Sequence, residues 1–208
     1  GSAGTTTLGL QILKNNEVTI KNGTLTSTET VEGKQGKVLI QNYADLTVTG
    51  MTLDGTNLDR YTIKDYNYSY VLSNNSGAVA IVDTTINANN GGDAYAFDSC
   101  DSSDYAGVPT VTVSGNSVIN GIVEVTGGNL DLQAGTFTGA LTYESGAVTK
   151  AEAVELAAPA DYKWVDGKLT AIVYVAQIGE TKYETLAEAV AAAEAGATVT
   201  LLGDATGA

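Results

Sequence analysis

Two groups of side chains have the types and spacing to do chemistry. The first is acidic. Asp93, Asp98, Asp101 and Asp104 fall within one short stretch, residues 91–107. Converging carboxylates can hold Ca2+ or serve as the acid and base of a glycoside hydrolase. The spacing lacks a calcium-loop signature, so a solvated acidic loop competes with both readings. If the four bind a metal, Ca2+ is the ion such oxygens would take; no other cofactor is expected. The second group is aromatic. Tyr61, Tyr66, Tyr68 and Tyr70 lie in residues 57–75, and the last three alternate. On an extended segment those three share a face. A row of rings can stack on sugars while the hydroxyls reach polar groups. The competing reading is that the rings cover the apolar side of their own insertion. Arg60, the only arginine, has Asp54, Asp59 and Asp65 near it. That is the composition of a lyase site, and equally of a solvated corner.

Several chemistries are excluded. The chain has no His and a single cysteine, Cys100. Triads that need an imidazole base, Cys/His zinc sites and an internal disulfide are therefore ruled out. A net charge of −14 opposes binding to nucleic acid or anionic lipid. No apolar run is long enough to span a bilayer as a helix. No charged-then-apolar leader is visible. A start at Gly1-Ser2 without Met reads as a trimmed boundary, with any export signal lying outside it.

The elements that position these groups come from an internal repeat. Residues 18–25, 46–53, 79–86, 111–118 and 130–137 share one pattern: apolar, x, apolar, x, turn-former, x, Thr or Ser, apolar. The first two apolar residues point to one side of a short strand. A tight corner and a second strand follow. This is the rung of a β-solenoid, in which one coil cannot bury its inward residues until others stack on it. The rungs start 28, 33, 32 and 19 residues apart. A bare coil needs roughly twenty residues, so the longer intervals carry corner insertions. Corners are expected at Asn22, Gly50, Asp83, Gly115 and Ala134, with Gly135 taking the left-handed position in the last. Thr24, Thr52, Thr85, Ser117 and Thr136 should stack as a hydroxyl ladder. Further strands are expected at 37–41, 70–73, 93–98, 121–125 and 140–143, and an earlier one at Leu8, Leu10 and Ile12.

Residues 157–161 read as a break, giving a solenoid over 1–160 and a small module over 161–208. The module begins with a hairpin turning at Asp166-Gly167 and carrying Trp164, read as a packing residue. A second hairpin turns at Gly179-Glu180. Thr185 and Glu188 form a capping box for a helix with Leu186, Val190 and Ala193 on one face, stopped by Gly196. Residues 197–202 then read as a strand.

The run Val175-Ala176-Gln177-Ile178-Gly179-Glu180-Thr181-Lys182-Tyr183-Glu184-Thr185-Leu186-Ala187-Glu188-Ala189-Val190, with Thr198-Val199-Thr200-Leu201-Leu202, resembles a module of large secreted, adhesin-like β-helix proteins of gut bacteria. The residues Ala134-Gly135-Thr136-Phe137 and Tyr162-Lys163-Trp164-Val165-Asp166-Gly167-Lys168-Leu169 resemble that family's ending of one β-helix. The resemblance covers about the last seventy residues well and the earlier coils by pattern alone. It implies an all-β, right-handed parallel β-helix with a C-terminal hairpin–helix–strand appendage that opens a following repeat or caps this one. It further implies an exported, cell-surface or extracellular protein with adjacent β-helix repeats as neighbours. The expected function is non-catalytic display and binding of a glycan or host surface protein. A carbohydrate-active enzyme using the acidic insertion and a bare spacer are the alternatives. The family offers no catalytic motif to carry over.

Overall fold

The computed structural model describes residues 8–27, 37–58, 61–63, 66–89, 93–101 and 107–203. The protein is mostly β-strand, its two large sheets are built mainly from parallel neighbours, and it divides into two compact units. The first unit contains Gly1–Pro159 and Trp164–Leu169. Its chain passes repeatedly from one sheet to the other. The first pass is β1 (Leu8–Ile12) and β2 (Glu17–Thr26), and the second is β3 (Val38–Asn42) and β4 (Asp45–Asp54). After the short β5 (Tyr61–Ile63), the third is β6 (Tyr66–Asn74), β7 (Ala78–Val82) and β8 (Thr85–Asn87). The fourth is β9 (Asp93–Ser99), β10 (Thr110–Ser114) and β11 (Val118–Asn120). The fifth is β12 (Ile122–Val125), β13 (Asn129–Leu132) and β14 (Thr136–Phe137), followed by β15 (Leu141–Tyr143) and β16 (Ala147–Lys150).

One sheet runs β1-β3-β6-β9-β12-β15 and contains every expected intervening strand. In the other, β2 pairs with β4 along its length. Thereafter β7, β10, β13 and β16 continue the first half of β4, while β8, β11 and β14 continue its second half. The bend between the halves is where the repeat places its turn-formers. Asn22, Gly50, Asp83, Gly115 and Gly135 all have positive φ there, and in the last pass Gly135 rather than Ala134 takes that role. The inward residues form one cluster. Leu46, Val48, Leu53, Ile81, Ile86, Val113, Ile119, Leu130 and Leu132 on one side meet Ile40, Leu72, Phe97, Val123 and Leu141 on the other. Stacking of passes thus buries what no single pass can.

The hydroxyl ladder needs one correction. Thr24, Thr52, Thr85 and Thr136 do align, but Val118, not Ser117, occupies the fourth place. The corner after β10 is one residue longer. There Ser117 turns inward, donates to the Ser114 carbonyl at 2.7 Å and accepts from the Thr84 amide at 3.3 Å. Ile119 consequently fills the core position that the repeat assigns to Val118.

The opposite corner is held by polar side chains in stacked register, Asn42, Asn74 and Ser99. All three are fully buried. Asn42 Nδ2 donates to Asn74 Oδ1 at 3.0 Å and to the Ala44 carbonyl at 2.7 Å; Asn74 Nδ2 donates to the Gly77 carbonyl at 2.8 Å; Ser99 Oγ donates to the Gly127 carbonyl at 2.9 Å. Turn carbonyls that the strands cannot reach are satisfied by this column.

The last pass is closed. β18 (Lys168–Ala171) runs antiparallel to β16 and forms a hairpin with β17 (Tyr162–Val165). Asp166 and Gly167, both at positive φ, make its turn, as the Asp-Gly pair predicts. Residues 151–156 bring Val154 and Leu156 into the core, and the Trp164 indole donates to the Leu156 carbonyl at 2.8 Å. The packing role expected of Trp164 is what the structure shows.

The second unit contains Ala160–Lys163 and Thr170–Ala208. β19 (Ala176–Ile178) pairs antiparallel with β20 (Thr181–Tyr183) and with β21 (Thr200–Leu201). Between them lies α1 (Leu186–Ala192), whose capping box forms as expected from Thr185 and Glu188. Two details differ from the sequence pattern. The helix buries Ala189 and leaves Val190 exposed. It also ends at Ala192, before Gly196, since the Ala193 backbone is already extended. Among the described residues no helix is long and apolar enough to cross a membrane.

Candidate functional site

The structure brings Tyr70 into a constellation with residues that sequence reasoning left aside. β6, β9 and β12 lie side by side, with Tyr70 beside Tyr95 and Ser73 beside Asp98, which is in turn beside Glu124. The Tyr70 and Tyr95 rings stack, centroids 4.8 Å apart and planes 19° from parallel. The Tyr70 hydroxyl donates to Glu124 Oε2 at 2.7 Å. Asp98 accepts from the Asn74 amide at 2.5 Å and the Ser73 hydroxyl at 3.2 Å.

Burial decides the electrostatics. Asp98 is 4% exposed, and loss of solvent pushes its pKa up to about 8, against the two hydrogen bonds that favour the anion and with a smaller push from Glu124. Asp98 therefore carries its proton at neutral pH. The same desolvation, with Asp98 and Glu124 nearby, holds the Tyr70 phenol far above its ordinary value. Cys100 follows two residues on, half-buried, its thiol also pushed up by burial. A thiol held in that state is a poor nucleophile. Protonated Asp98 beside Glu124 has the composition of an acid–base pair, but its near-complete burial keeps a bulky substrate from it.

The other sequence candidates separate. Tyr61 and Tyr68 are opposite partners in the antiparallel β5–β6 hairpin, Tyr66 is opposite Ile63, and Tyr68 is also beside Asp93 at the start of β9. The backbone thus places Tyr61, Tyr66 and Tyr68 in the β5–β6 pairing and Tyr70 two residues beyond it on β6, in the parallel sheet. Asp101 lies beyond the end of β9 and is exposed, whereas Asp98 is buried within it. Asp104, with Asp59, Arg60 and Asp65, lies outside the described residues. Among the described residues no three acidic or sulfur side chains are grouped to hold a metal. Asp54 is spent on its own turn, accepting from the Thr56 amide at 3.1 Å and hydroxyl at 2.6 Å.

Tyr95 and Glu124 went unnoticed because each lies in a strand of ordinary composition. Their common signal is placement in successive passes on the same sheet as Tyr70, which only the register reveals. Compared with protein-family models, curated proteins and solved structures, the chain matches none.

Proposed function

We propose that the chain is a right-handed parallel β-helix module of an exported, adhesin-like surface protein, acting without catalysis. Its second unit opens a following repeat, and the β5–β6 arm contacts a glycan or host surface protein. The stacked parallel passes with their left-handed corners support the solenoid. The observation that carries the binding role is the arm itself. Tyr61, Tyr66 and Tyr68 share one hairpin, and Tyr70, two residues beyond the pairing, is stacked on Tyr95 and bonded to Glu124. An aromatic arm on a rigid base loses little entropy when it meets a ligand.

The test is a glycan array with the purified chain, in calcium and in chelator, beside a Tyr66→Ala/Tyr68→Ala variant that leaves the pinned Tyr70 in place. Binding that disappears in the variant supports the reading and assigns the arm. Binding that survives moves the contact elsewhere, and no binding in either condition favours a spacer or a protein ligand.

A further inference from the structure

The two ends of the parallel stack differ, and the open one has a pattern that fits itself. β2 is hydrogen-bonded only to β4 among the described strands, and no described strand lies along its outer edge. Val18, Ile20 and Leu25 point to the core side but are only half-buried, whereas their register partners Leu46, Val48 and Leu53 are fully buried. Among the described residues, the first pass thus has an apolar layer covered on one side alone, bordered by a strand edge with no described partner. Such an edge is a template for another strand.

We propose that this edge is a self-association surface on which two copies of the chain pair β2 against β2, antiparallel and centred on Thr19. A strand meeting its own copy across a two-fold axis must run antiparallel and make each contact twice. Centred on Thr19, the pairing sets Glu17 opposite Lys21 and Val18 opposite Ile20. Glu17 and Lys21 are both exposed, and Val18 and Ile20 lie on the core side. The charged pair falls on the solvent face and the apolar pair extends the core. Glu17 is also the register neighbour of Asp45 in β4. Lys21 of the second copy therefore brings a cation to two adjacent carboxylates. Centring on Val18 or Ile20 keeps the faces but sets Glu17 opposite Thr19 or Gly23, and the charge match is lost. A shift of a single residue would turn the apolar layer outward. Head-to-tail growth by the same strands is blocked, because β18 already occupies the far edge of β16.

Sedimentation over a concentration series tests this with the wild-type chain, Glu17→Lys, Lys21→Glu and the double exchange. The wild type is expected to dimerise. Each single change sets like charges opposite each other twice and should weaken the dimer by about tenfold or more. The double exchange should restore it, with all four proteins melting alike by circular dichroism. A wild type that stays monomeric at the highest concentration reached overturns the proposal. So does a dimer that ignores the charge changes, or a mass that keeps growing with concentration.

Discussion

The capped and open ends of the stack show the same inward residues in two states of completion. At the capped end, Val148 and Leu141 are buried because residues 151–156 and the β17–β18 hairpin cover them with Val154, Leu156 and Trp164. At the open end, Val18 heads the register column that finishes at Val148 and is half-exposed, and Leu10 heads the one that finishes at Leu141 and is exposed. Strand pattern alone therefore does not decide how much a side chain contributes. A position in the repeat is worth its full burial only when passes lie on both sides of it. That is the nearest-neighbour logic of a one-dimensional stack, in which each interface adds its own stability.

The sharpest test compares Leu53→Ala with Leu25→Ala. The two leucines are direct register partners, one pass apart. Leu53 is fully enclosed and Leu25 is not. Chemical denaturation should show a loss of about 3–5 kcal/mol for Leu53→Ala, from lost transfer energy plus the cavity. Leu25→Ala should cost only about 1 kcal/mol, since much of its surface already meets water. Equal losses would break the comparison and mean that the first pass is covered.

Asp98 tests the interior by pH. Its folded pKa lies near 8, well above the value near 3.9 of an unfolded aspartate. Between those values the folded chain holds a proton that the unfolded chain has released. Stability from this group is therefore greatest in acid, falls as pH rises from about 4 to about 8, and is level above that. The fall is of the order of a few kcal/mol. Asp98→Asn mimics the protonated side chain and cannot ionise. Urea titrations should show the variant close to wild type near pH 4 and more stable near pH 8. A difference between the two proteins that stays constant with pH would refute the assignment.

How much of this was legible in the sequence follows from the range of each interaction. The corners at Asn22, Gly50, Asp83 and Gly115 could be read directly, because positive φ favours a few residue types and those types recur at one place in the repeat. The hairpin at Asp166-Gly167 and the cap at Thr185 are equally local. What escaped depends on register between passes. A one-residue lengthening after Ser114 moved Ile119 into the core place assigned to Val118, and no local pattern marks it. The Asn42–Asn74 hydrogen bond joins residues 32 apart that look like ordinary turn asparagines. In the candidate site the four tyrosines stood out by composition. Tyr95, Asp98 as a buried acid, and Glu124 became a unit only when β6, β9 and β12 were aligned.

The corners extend the contrast between interior and open end to smaller energies. Gly50 and Gly115 both have φ near +60°, so alanine at either carries the cost of the left-handed region, of order 1 kcal/mol. Their surroundings differ. A Cβ at Gly50 would come within 2.9 Å of Asn22 Oδ1, on the exposed β2, where the side chain has room to give way. A Cβ at Gly115 would come within 2.3 Å of Asp83 Oδ1. That oxygen already accepts from the Asn116 amide at 2.8 Å and anchors the corner. Moving it would lose a charge-assisted bond as well as strain the backbone. Thermal melts should therefore show Gly115→Ala losing about 2–3 kcal/mol and Gly50→Ala about 1 kcal/mol. A larger loss at Gly50 would mean that the corner next to the open edge is the more constrained of the two, and would reverse the order of completion read from the two ends.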